Sequence, residues 1–262
     1  MPHHDSFFPL EDADGTQHVK PYVRETLDSK SLHFCMDEIQ STMNLLAPHA
    51  LALAYTRTMM GVLLFKPQPA TLAMIGLGGG SLAKFCHRQL PRTRLKVVEI
   101  NPHVLALRHE FQVPEDDARF RVVLGDGAEF VRFAPYPLDV LMVDGFDYDG
   151  QPPALCSQQF YDDCRDALQP GGLLVVNLHT GHTDFSLYLS RIERSFDGEV
   201  LALGDEDCSN TIVFASKGPL PQITAAALRC PPGFDPAAWK DLLPALAAVA
   251  AARRQAQASR LG

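Results

Sequence analysis

Short apolar segments alternate with amphipathic segments from Leu72 onward, which is typical of strand-helix-strand units around a parallel sheet. The apolar segments are rich in Val, Ile, Leu and Met, as expected of strands that are covered on both faces. We predict strands at residues 72–75, 95–100, 120–124, 140–143 and 173–177, and a last strand at 211–215. We predict helices at residues 81–89, 102–110, 128–133, 157–167 and 184–195. The pattern therefore indicates an α/β fold with a central sheet.

Both ends of the chain depart from this alternation. Residues 32–36 resemble a strand, and residues 45–64 a mostly apolar helix that leads towards the sheet. An Ala-rich segment at 242–254 predicts a surface-packed or interface helix. We therefore expect an N-terminal extension at 1–62, which is a reduced β/helical subdomain, a main α/β domain at 63–218, and a helical tail at 219–262.

Composition narrows the functional classes. The chain has 262 residues, of which 46% are hydrophobic and 21% charged, as is ordinary for a globular protein. Its net charge is −8, and no run of Lys or Arg supplies the basic face that binding to phosphate backbones requires. We expect no nucleic-acid partner.

Neither the cysteines nor the apolar segments point to a metal site, a disulfide framework or a membrane. The six cysteines are scattered without metal-ligand spacing, and buried free thiols are the simplest interpretation. The first ten residues lack the features of a signal peptide, and no segment is long and apolar enough to span a bilayer. We expect a cytoplasmic protein with no membrane partner and no metal.

A glycine-rich turn follows the first predicted strand of the sheet. Gly76, Gly78, Gly79 and Gly80 lie between an apolar strand and an amphipathic helix, where glycine permits a tight turn and a close approach to a ligand. Such a turn alone is a weak signal. About twenty residues later Glu99 ends the next strand, where doubly wound folds place a carboxylate for ribose hydroxyls.

Two further strands also end in acids. Asp126 follows the strand at 120–124, with Gly127 after it, and Asp144 follows the strand at 140–143. Each aspartate alone is explained as a helix cap or turn residue. Because four successive strands end in glycines or acids at the edge where open α/β sheets bind ligands, we predict a site there.

The order of these motifs resembles the spermidine/spermine synthase family. The resemblance covers residues 72–177. It consists of the glycine loop, the sequence Val-Glu-Ile-Asn-Pro, then Gly-Asp-Gly, and the aspartate pair Asp144 and Asp147. Weaker similarity is found at residues 37–40 and 211–217. The resemblance implies that the domain at 63–218 has a Rossmann-like fold of the class I S-adenosylmethionine-dependent methyltransferase type. It also implies that this domain binds a nucleoside and acts as a transferase of polyamine biosynthesis.

The resemblance also implies roles for individual residues. The glycine loop and Glu99 would bind the donor nucleoside, with Glu99 on the ribose diol and Asp126 with Gly127 at the adenine. Gln40 and Pro152 would add to this pocket, and residues 148–157 match the family's gating loop. Asp144 would deprotonate the attacking amine, Asp147 would assist, and Tyr55 and Asp147 would contact the substrate. A carboxylate suits this task because it both attracts an alkylammonium and accepts its proton.

The chain departs from the family pattern at three polar positions. Gly79 stands where the family has the aspartate that holds the aminopropyl ammonium, and Phe85 where a glutamate is expected. Tyr55, Thr56 and Arg57 stand at the positions of the family's Tyr-His/Gln-Glu, so that Arg57 replaces a glutamate. An inward-facing Arg57 would favour a carboxylate, such as that of intact S-adenosylmethionine, whereas an outward-facing one would be a solvent-exposed charge.

We interpret the chain as a spermidine synthase-like transferase that uses decarboxylated S-adenosylmethionine as co-substrate and a small amine as acceptor. One alternative is a methyltransferase that uses S-adenosylmethionine and another small acceptor. A second alternative is a non-catalytic nucleoside-binding protein, which the retention of Asp144 and Asp147 disfavours. The resemblance further implies a homodimer.

Overall fold

The computed structural model describes residues 10–11, 17–34, 40–146, 150–204 and 209–261. Its strands are β1 (Leu10–Glu11), β2 (Gln17–His18), β3 (Tyr22–Glu25), β4 (Ser29–His33), β5 (Ser41–Asn44), β6 (Thr71–Ile75), β7 (Arg94–Glu99), β8 (Phe120–Leu124), β9 (Leu138–Val143), β10 (Leu168–His179), β11 (Val200–Gly204) and β12 (Asn210–Ser216). Its α-helices are α1 (Ala54–Met59), α2 (Ser81–Gln89), α3 (Pro102–Ala106), α4 (Gly127–Arg132), α5 (Gln158–Ala167), α6 (Phe185–Ser195) and α7 (Pro236–Leu261). Short 3-10 helices occupy Met60–Leu64, Pro153–Leu155 and Ala225–Leu228.

A seven-stranded sheet in the order β11-β12-β10-β9-β6-β7-β8 forms the centre of the molecule. Strands β6 to β10 run parallel, and β12 pairs antiparallel with both β10 and β11. The chain builds outward from β6 through β7 and β8, then crosses to the other side of β6 to form β9. Ligands bind in open α/β sheets at such a reversal, beyond the carboxyl ends of the strands. The predicted α/β, Rossmann-like fold is confirmed.

Alternating side chains of the strands build an apolar layer on each face of the sheet. In β6, Met74 packs in the layer that includes α2 and α7, whereas Ala73 and Ile75 pack in the layer formed with α4, α5 and α6. This division follows from the two-residue period of a strand. Every residue of β9 is buried, as expected of a strand with helices on both sides. The two layers hold the strand ends in fixed positions.

Two predicted helices around the sheet need correction. The predicted helix at 45–64 is wrong over its first part, because α1 begins only at Ala54 and a 3-10 helix follows from Met60. The Asn44 side chain accepts the backbone N–H groups of Leu46 and Ala47, which makes a turn there instead. The helix predicted at 102–110 ends at Ala106.

Other differences lie in the N-terminal and tail segments. Strand β4 ends at His33, and residues 35–36 of the strand predicted at 32–36 lie outside the described residues. Strand β4 forms a separate antiparallel sheet with β3 and β5. Strand β11 was not predicted. Helix α7 is longer than the predicted 242–254 segment, and it packs against the chain before β6, since Val249 lies close to Gly61. The division at residues 62 and 218 stays a prediction.

The surroundings of four cysteines are described, and three of the four agree with the prediction. Cys86, Cys156 and Cys164 are free and buried as predicted, but Cys230 is exposed at the surface. Cys35 and Cys208 lie outside the described residues. Within the described ranges, no helix combines the length and the apolar character needed to cross a membrane.

Candidate functional site

A cavity of about 880 Å³ opens at the carboxyl ends of the central parallel strands. Its wall brings together residues that are far apart in the chain, from the N-terminal sheet to the segment before β12. The sequence-predicted residues in its lining are Gln40, Tyr55, Gly76, Gly78, Glu99, Asp126, Gly127, Asp144 and Pro152. Gly79 and Gly80 belong to the same loop but are not part of the lining.

The glycine loop carries the backbone of β6 directly beside the end of β9. Gly76 has a φ of +93°, and a Cβ atom at this position would lie 2.2 Å from the carbonyl oxygen of Asp144. Gly78 also has a positive φ, of +51°, whereas the space around it is open enough for a side chain. Only glycine satisfies both the conformation and the close contact at position 76. This contact fixes the distance between the loop and Asp144.

Gly80 closes the loop and begins helix α2 with a φ of +68°. A Cβ atom at this position would lie 2.3 Å from Val113 Cγ2. Gly80 therefore has a steric role in the turn, away from the cavity surface.

Glu99 accepts backbone N–H groups on both of its carboxylate oxygens, and one of them braces the glycine loop. Oε2 accepts the backbone N–H of Leu77 at 2.8 Å, and Oε1 accepts that of Asn101 at 2.8 Å. Burial raises the pKa of Glu99, although these backbone N–H groups act to lower it. A carboxylate oxygen has more than one lone pair, so Glu99 can brace the loop and still accept a ligand hydroxyl.

Asp126 caps helix α4. Its Oδ1 accepts the backbone N–H groups of Ala128 at 2.6 Å and Glu129 at 3.3 Å, as the capping interpretation predicts. The residue also lines the cavity. Gly127 follows it, and a Cβ atom there would lie 2.4 Å from Ile75 Cγ2. Glycine is therefore required at 127 for packing between α4 and β6.

Asp144 is the first residue after β9, and its backbone N–H still pairs with the carbonyl of Ile75 in β6. Its carboxylate accepts the Tyr55 hydroxyl on Oδ2 at 3.1 Å and the Asn177 amide on Oδ1 at 2.9 Å. Burial raises the pKa of Asp144, and the two hydrogen bonds act against that rise because they favour the ionised form. A carboxylate oriented by two neutral donors can accept a proton within the cavity.

Other predicted residues take places around this centre. Gln40 lines the cavity while its backbone N–H pairs with the carbonyl of Leu32. Pro152 precedes the 3-10 helix Pro153–Leu155 and also lines the cavity. Asp147, residues 148–149 of the predicted gating loop and residues 37–39 lie outside the described residues.

The three positions that depart from the family pattern do not face the cavity with polar groups. Phe85 is buried and packs against Phe234, with ring centroids 6.0 Å apart. Arg57 donates to the carbonyl oxygens of Leu51 and Ala52, and it lines a second, smaller cavity. The inward-facing position that would favour a ligand carboxylate in the central cavity is therefore not the one that Arg57 adopts.

Several lining residues were not predicted as site residues. Asn177 is 3% exposed, and its Oδ1 has no hydrogen-bond partner in the described part of the chain. His179 lies two residues further along β10, and His182 accepts the backbone N–H of Asp184 on Nδ1. Residues two apart on a strand share a face, so the position of Asn177 could have drawn attention to His179. Ser41 carried no sequence signal of its own.

The cavity is electronegative. Glu99, Asp126 and Asp144 contribute carboxylates, and no Lys or Arg is found among the described residues that line it. A cationic ligand is therefore favoured over an anionic one.

Comparisons with known proteins point to the family that the sequence motifs resemble. A family model described as the spermine/spermidine synthase domain matches residues 52–193. A polyamine aminopropyltransferase of Neisseria meningitidis serogroup A is 40% identical over 195 residues, which cover 74% of this chain and 74% of that protein.

Solved structures share the fold. The crystal structure of a probable spermidine synthase from Corynebacterium glutamicum matches with a TM-score of 0.68 at 21% identity, covering 79% of this chain and 80% of that one. Human methyltransferase-like protein 13, in complex with SAH, matches with a TM-score of 0.59 at 23% identity, covering 75% and 93%.

Proposed function

Because the chain belongs to the spermine/spermidine synthase family, we propose that it is a transferase that moves an aminopropyl group from decarboxylated S-adenosylmethionine to a small amine. The observation that carries this proposal is the placement of Asp144, oriented by Tyr55 and Asn177, in the same electronegative cavity as Glu99 and the glycine loop. The proposed nucleoside site and the proposed proton acceptor thus share one cavity.

The proposed reaction needs a neutral amine. Asp144 takes a proton from the acceptor ammonium, and the freed nitrogen lone pair attacks the aminopropyl carbon that is bonded to the sulfonium. The new C–N bond forms as the C–S bond breaks, and the sulfur keeps that bond's electron pair in neutral methylthioadenosine. The product nitrogen stays protonated as a secondary ammonium, and the proton on Asp144 passes to solvent. The sulfonium activates the carbon, so the protein mainly aligns the reactants.

Asp144 suits this role through both its environment and its position. Burial raises its pKa, which makes it a stronger base than an exposed aspartate, while Tyr55 and Asn177 hold its two oxygens in place. The contact between Gly76 and the Asp144 backbone keeps the carboxylate at the loop. We assign Asp147 an assisting role on the resemblance alone.

The charge of the cavity favours the decarboxylated donor. This donor carries a sulfonium and an ammonium, and both are complemented by the carboxylates of Glu99, Asp126 and Asp144. Intact S-adenosylmethionine adds a carboxylate, for which the described lining offers no Lys or Arg. A buried anion without a cationic partner is unfavourable.

We assign the remaining roles from position. Glu99 would accept the ribose hydroxyls and Asp126 with Gly127 would lie at the adenine. Gly76 and Gly78 would allow the donor to approach the loop backbone, with Gln40 and Pro152 at the edge of the same pocket. Tyr55 would contact the acceptor amine as well as Asp144. Gly79 and Gly80 would shape the loop without touching the donor.

A methyltransferase is the second candidate, and one observation favours it. Gly79 removes the carboxylate that the resemblance places beside the aminopropyl ammonium. The cavity lining and the place of Arg57 outside that lining favour the first candidate. The donor preference separates the two candidates.

We also propose that the protein is cytoplasmic and, as the resemblance implies, that it forms a homodimer. Size-exclusion chromatography with light scattering measures the mass directly, and a monomeric mass across the micromolar range would contradict the dimer.

The proposed activity is tested by incubating the protein with decarboxylated or intact S-adenosylmethionine and a panel of di- and polyamines. Aminopropyl transfer yields methylthioadenosine and an amine extended by one aminopropyl group. Methyl transfer instead yields S-adenosylhomocysteine from the intact donor, and nucleoside binding without either product indicates a binding protein.

A further inference from the structure

The side-chain space at position 79 is already filled by another part of the chain. A Cβ atom on Gly79 would lie 2.6 Å from the hydroxyl oxygen of Ser41 and 2.9 Å from Cδ1 of Phe111. Ser41 comes from β5 of the N-terminal sheet, is 5% exposed and lines the central cavity. Its hydroxyl therefore stands where a side chain of the glycine loop would otherwise stand.

The hydroxyl of Ser41 belongs to a loosely bonded pair. Its oxygen lies 3.4 Å from that of Ser81, and the Ser81 hydroxyl lies 3.4 Å from the carbonyl oxygen of Thr42, to which it can donate. Hydroxyl hydrogen bonds usually measure 2.5–3.0 Å. If Ser41 donates towards Ser81 and Ser81 donates towards Thr42, the lone pairs of Ser41 are left to accept a hydrogen bond from a ligand.

The loop orders three polar groups along its length. Asp144 touches it at Gly76, Glu99 accepts the N–H of Leu77, and Ser41 lies against Gly78 and Gly79. A donor with its ribose at Glu99 and its reacting carbon near Asp144 has its sulfur beside this loop. The free end of its three-carbon arm would then lie in the cavity that Ser41 and Ser81 also line.

We propose that the hydroxyls of Ser41 and Ser81 bind the primary ammonium at the end of the donor's aminopropyl arm. This assignment rests on the proposed aminopropyl transfer and extends it, because it names the group that recognises the arm. The ammonium donates to Ser41, and the charge is balanced by the carboxylates of the cavity rather than by a contacting acid. The arm is thus recognised through hydrogen bonds from neutral groups.

The test compares two ligands that share the nucleoside and differ in this arm and in the charge on sulfur. Decarboxylated S-adenosylmethionine carries the aminopropyl group and the sulfonium, whereas methylthioadenosine has the same nucleoside and no aminopropyl group. Isothermal calorimetry on Ser41→Ala should show affinity for the decarboxylated donor reduced about tenfold or more, as expected for a hydrogen bond to a charged group. Affinity for methylthioadenosine should be unchanged.

Controls keep a structural effect apart from a loss of recognition. Ser31→Ala removes a hydroxyl from the neighbouring strand β4, which bonds to His33 and does not line the cavity, and should leave both affinities unchanged. Ser81→Ala should weaken binding of the decarboxylated donor in the same selective way. This second variant keeps the idea testable if Ser41→Ala does not fold.

Three results would overturn the assignment. Equal losses for both ligands would mean that Ser41 only shapes the loop, and no loss for either would remove it from the site. A larger loss for intact S-adenosylmethionine than for the decarboxylated donor would mean that the hydroxyls, together with the first N–H groups of α2, bind a carboxylate. Absence of turnover by the wild-type protein would instead contradict the proposed function, and the binding comparison is independent of turnover.

Discussion

Asp144 and Asn177 stand side by side because strand β9, which ends just before Asp144, is in register with strand β10, which contains Asn177. Val143 pairs with Val176 across the parallel strands β9 and β10, so the residues that follow them are neighbours at the edge of the sheet. The Asn177 amide donates to Asp144 across 2.9 Å. Two apolar strands thus place a carboxylate and the group that orients it without any contribution from a flexible loop.

Asp144→Asn should remove the general base while it preserves the shape of the side chain. We expect the turnover rate to fall by on the order of a hundred- to ten-thousand-fold, with affinity for methylthioadenosine changed little because the nucleoside contacts lie elsewhere. Steady-state kinetics and calorimetry measure the two effects. Asp166→Asn changes an exposed aspartate on α5 and serves as the control. Full activity in Asp144→Asn would contradict its role as base.

Tyr55→Phe should shift the pH dependence. Activity requires ionised Asp144, so kcat/KM should fall as pH drops through its pKa, which burial raises. The Tyr55 hydroxyl favours the ionised form, and its removal should raise this pKa further. The acid limb of the pH profile should therefore move to higher pH. Tyr136→Phe, outside the cavity lining, should leave the limb in place, and a shift to lower pH in Tyr55→Phe would contradict the hydrogen bond's role.

The strands of the central sheet were predictable because their signal is local. Strands covered on both faces are rich in apolar residues. Strands β6 and β9 each contain four in succession, at 72–75 and 140–143, whereas Lys96 and Arg121 interrupt the apolar residues of β7 and β8. The segment 45–64 misled the prediction because its apolar residues do not share one environment: Leu46 is exposed beside the turn at Asn44, whereas the apolar residues after Ala54 are buried. Apolar content alone does not separate a helix from an irregular buried segment.

Glu99→Gln should weaken nucleoside binding and loosen the glycine loop together. A carboxamide has a single acceptor oxygen, whereas Glu99 accepts backbone N–H groups from Leu77 and Asn101 on separate oxygens. We expect affinity for methylthioadenosine to fall by about tenfold or more, with a lower free energy of unfolding. Glu129→Gln, an exposed change on α4, provides the control. Unchanged affinity in Glu99→Gln would remove Glu99 from the ribose site.

Gly76→Ala should destabilise the protein by more than the backbone strain of a positive φ would alone. Its Cβ would combine a φ of +93° with a contact of 2.2 Å to a backbone oxygen. We expect a loss of roughly 3 kcal/mol or more in the free energy of unfolding. Gly171→Ala isolates the strain, since Gly171 has a φ of +72° and nothing within 4 Å of its Cβ position, and it should lose about 1 kcal/mol. Equal losses in urea unfolding would contradict the importance of the Asp144 contact.

The candidate site was predictable in part. Glycines and acids at successive strand ends carry a sequence pattern, and the structure places Gly76, Glu99, Asp126 and Asp144 in one cavity. Ser41 could not be found this way, because it reaches the glycine loop from a separate sheet about forty residues earlier in the chain. A polar residue that fills the space beside a glycine becomes visible only when both segments are placed in three dimensions.

Product analysis with the two donors tests the central claim most directly. The protein is incubated with putrescine and either decarboxylated or intact S-adenosylmethionine, and the released nucleoside is identified by chromatography and mass spectrometry. We predict methylthioadenosine and an aminopropylated amine from the decarboxylated donor, with both products lost in Asp144→Asn. Release of S-adenosylhomocysteine from the intact donor, with no aminopropylated product from any di- or polyamine, would contradict the account.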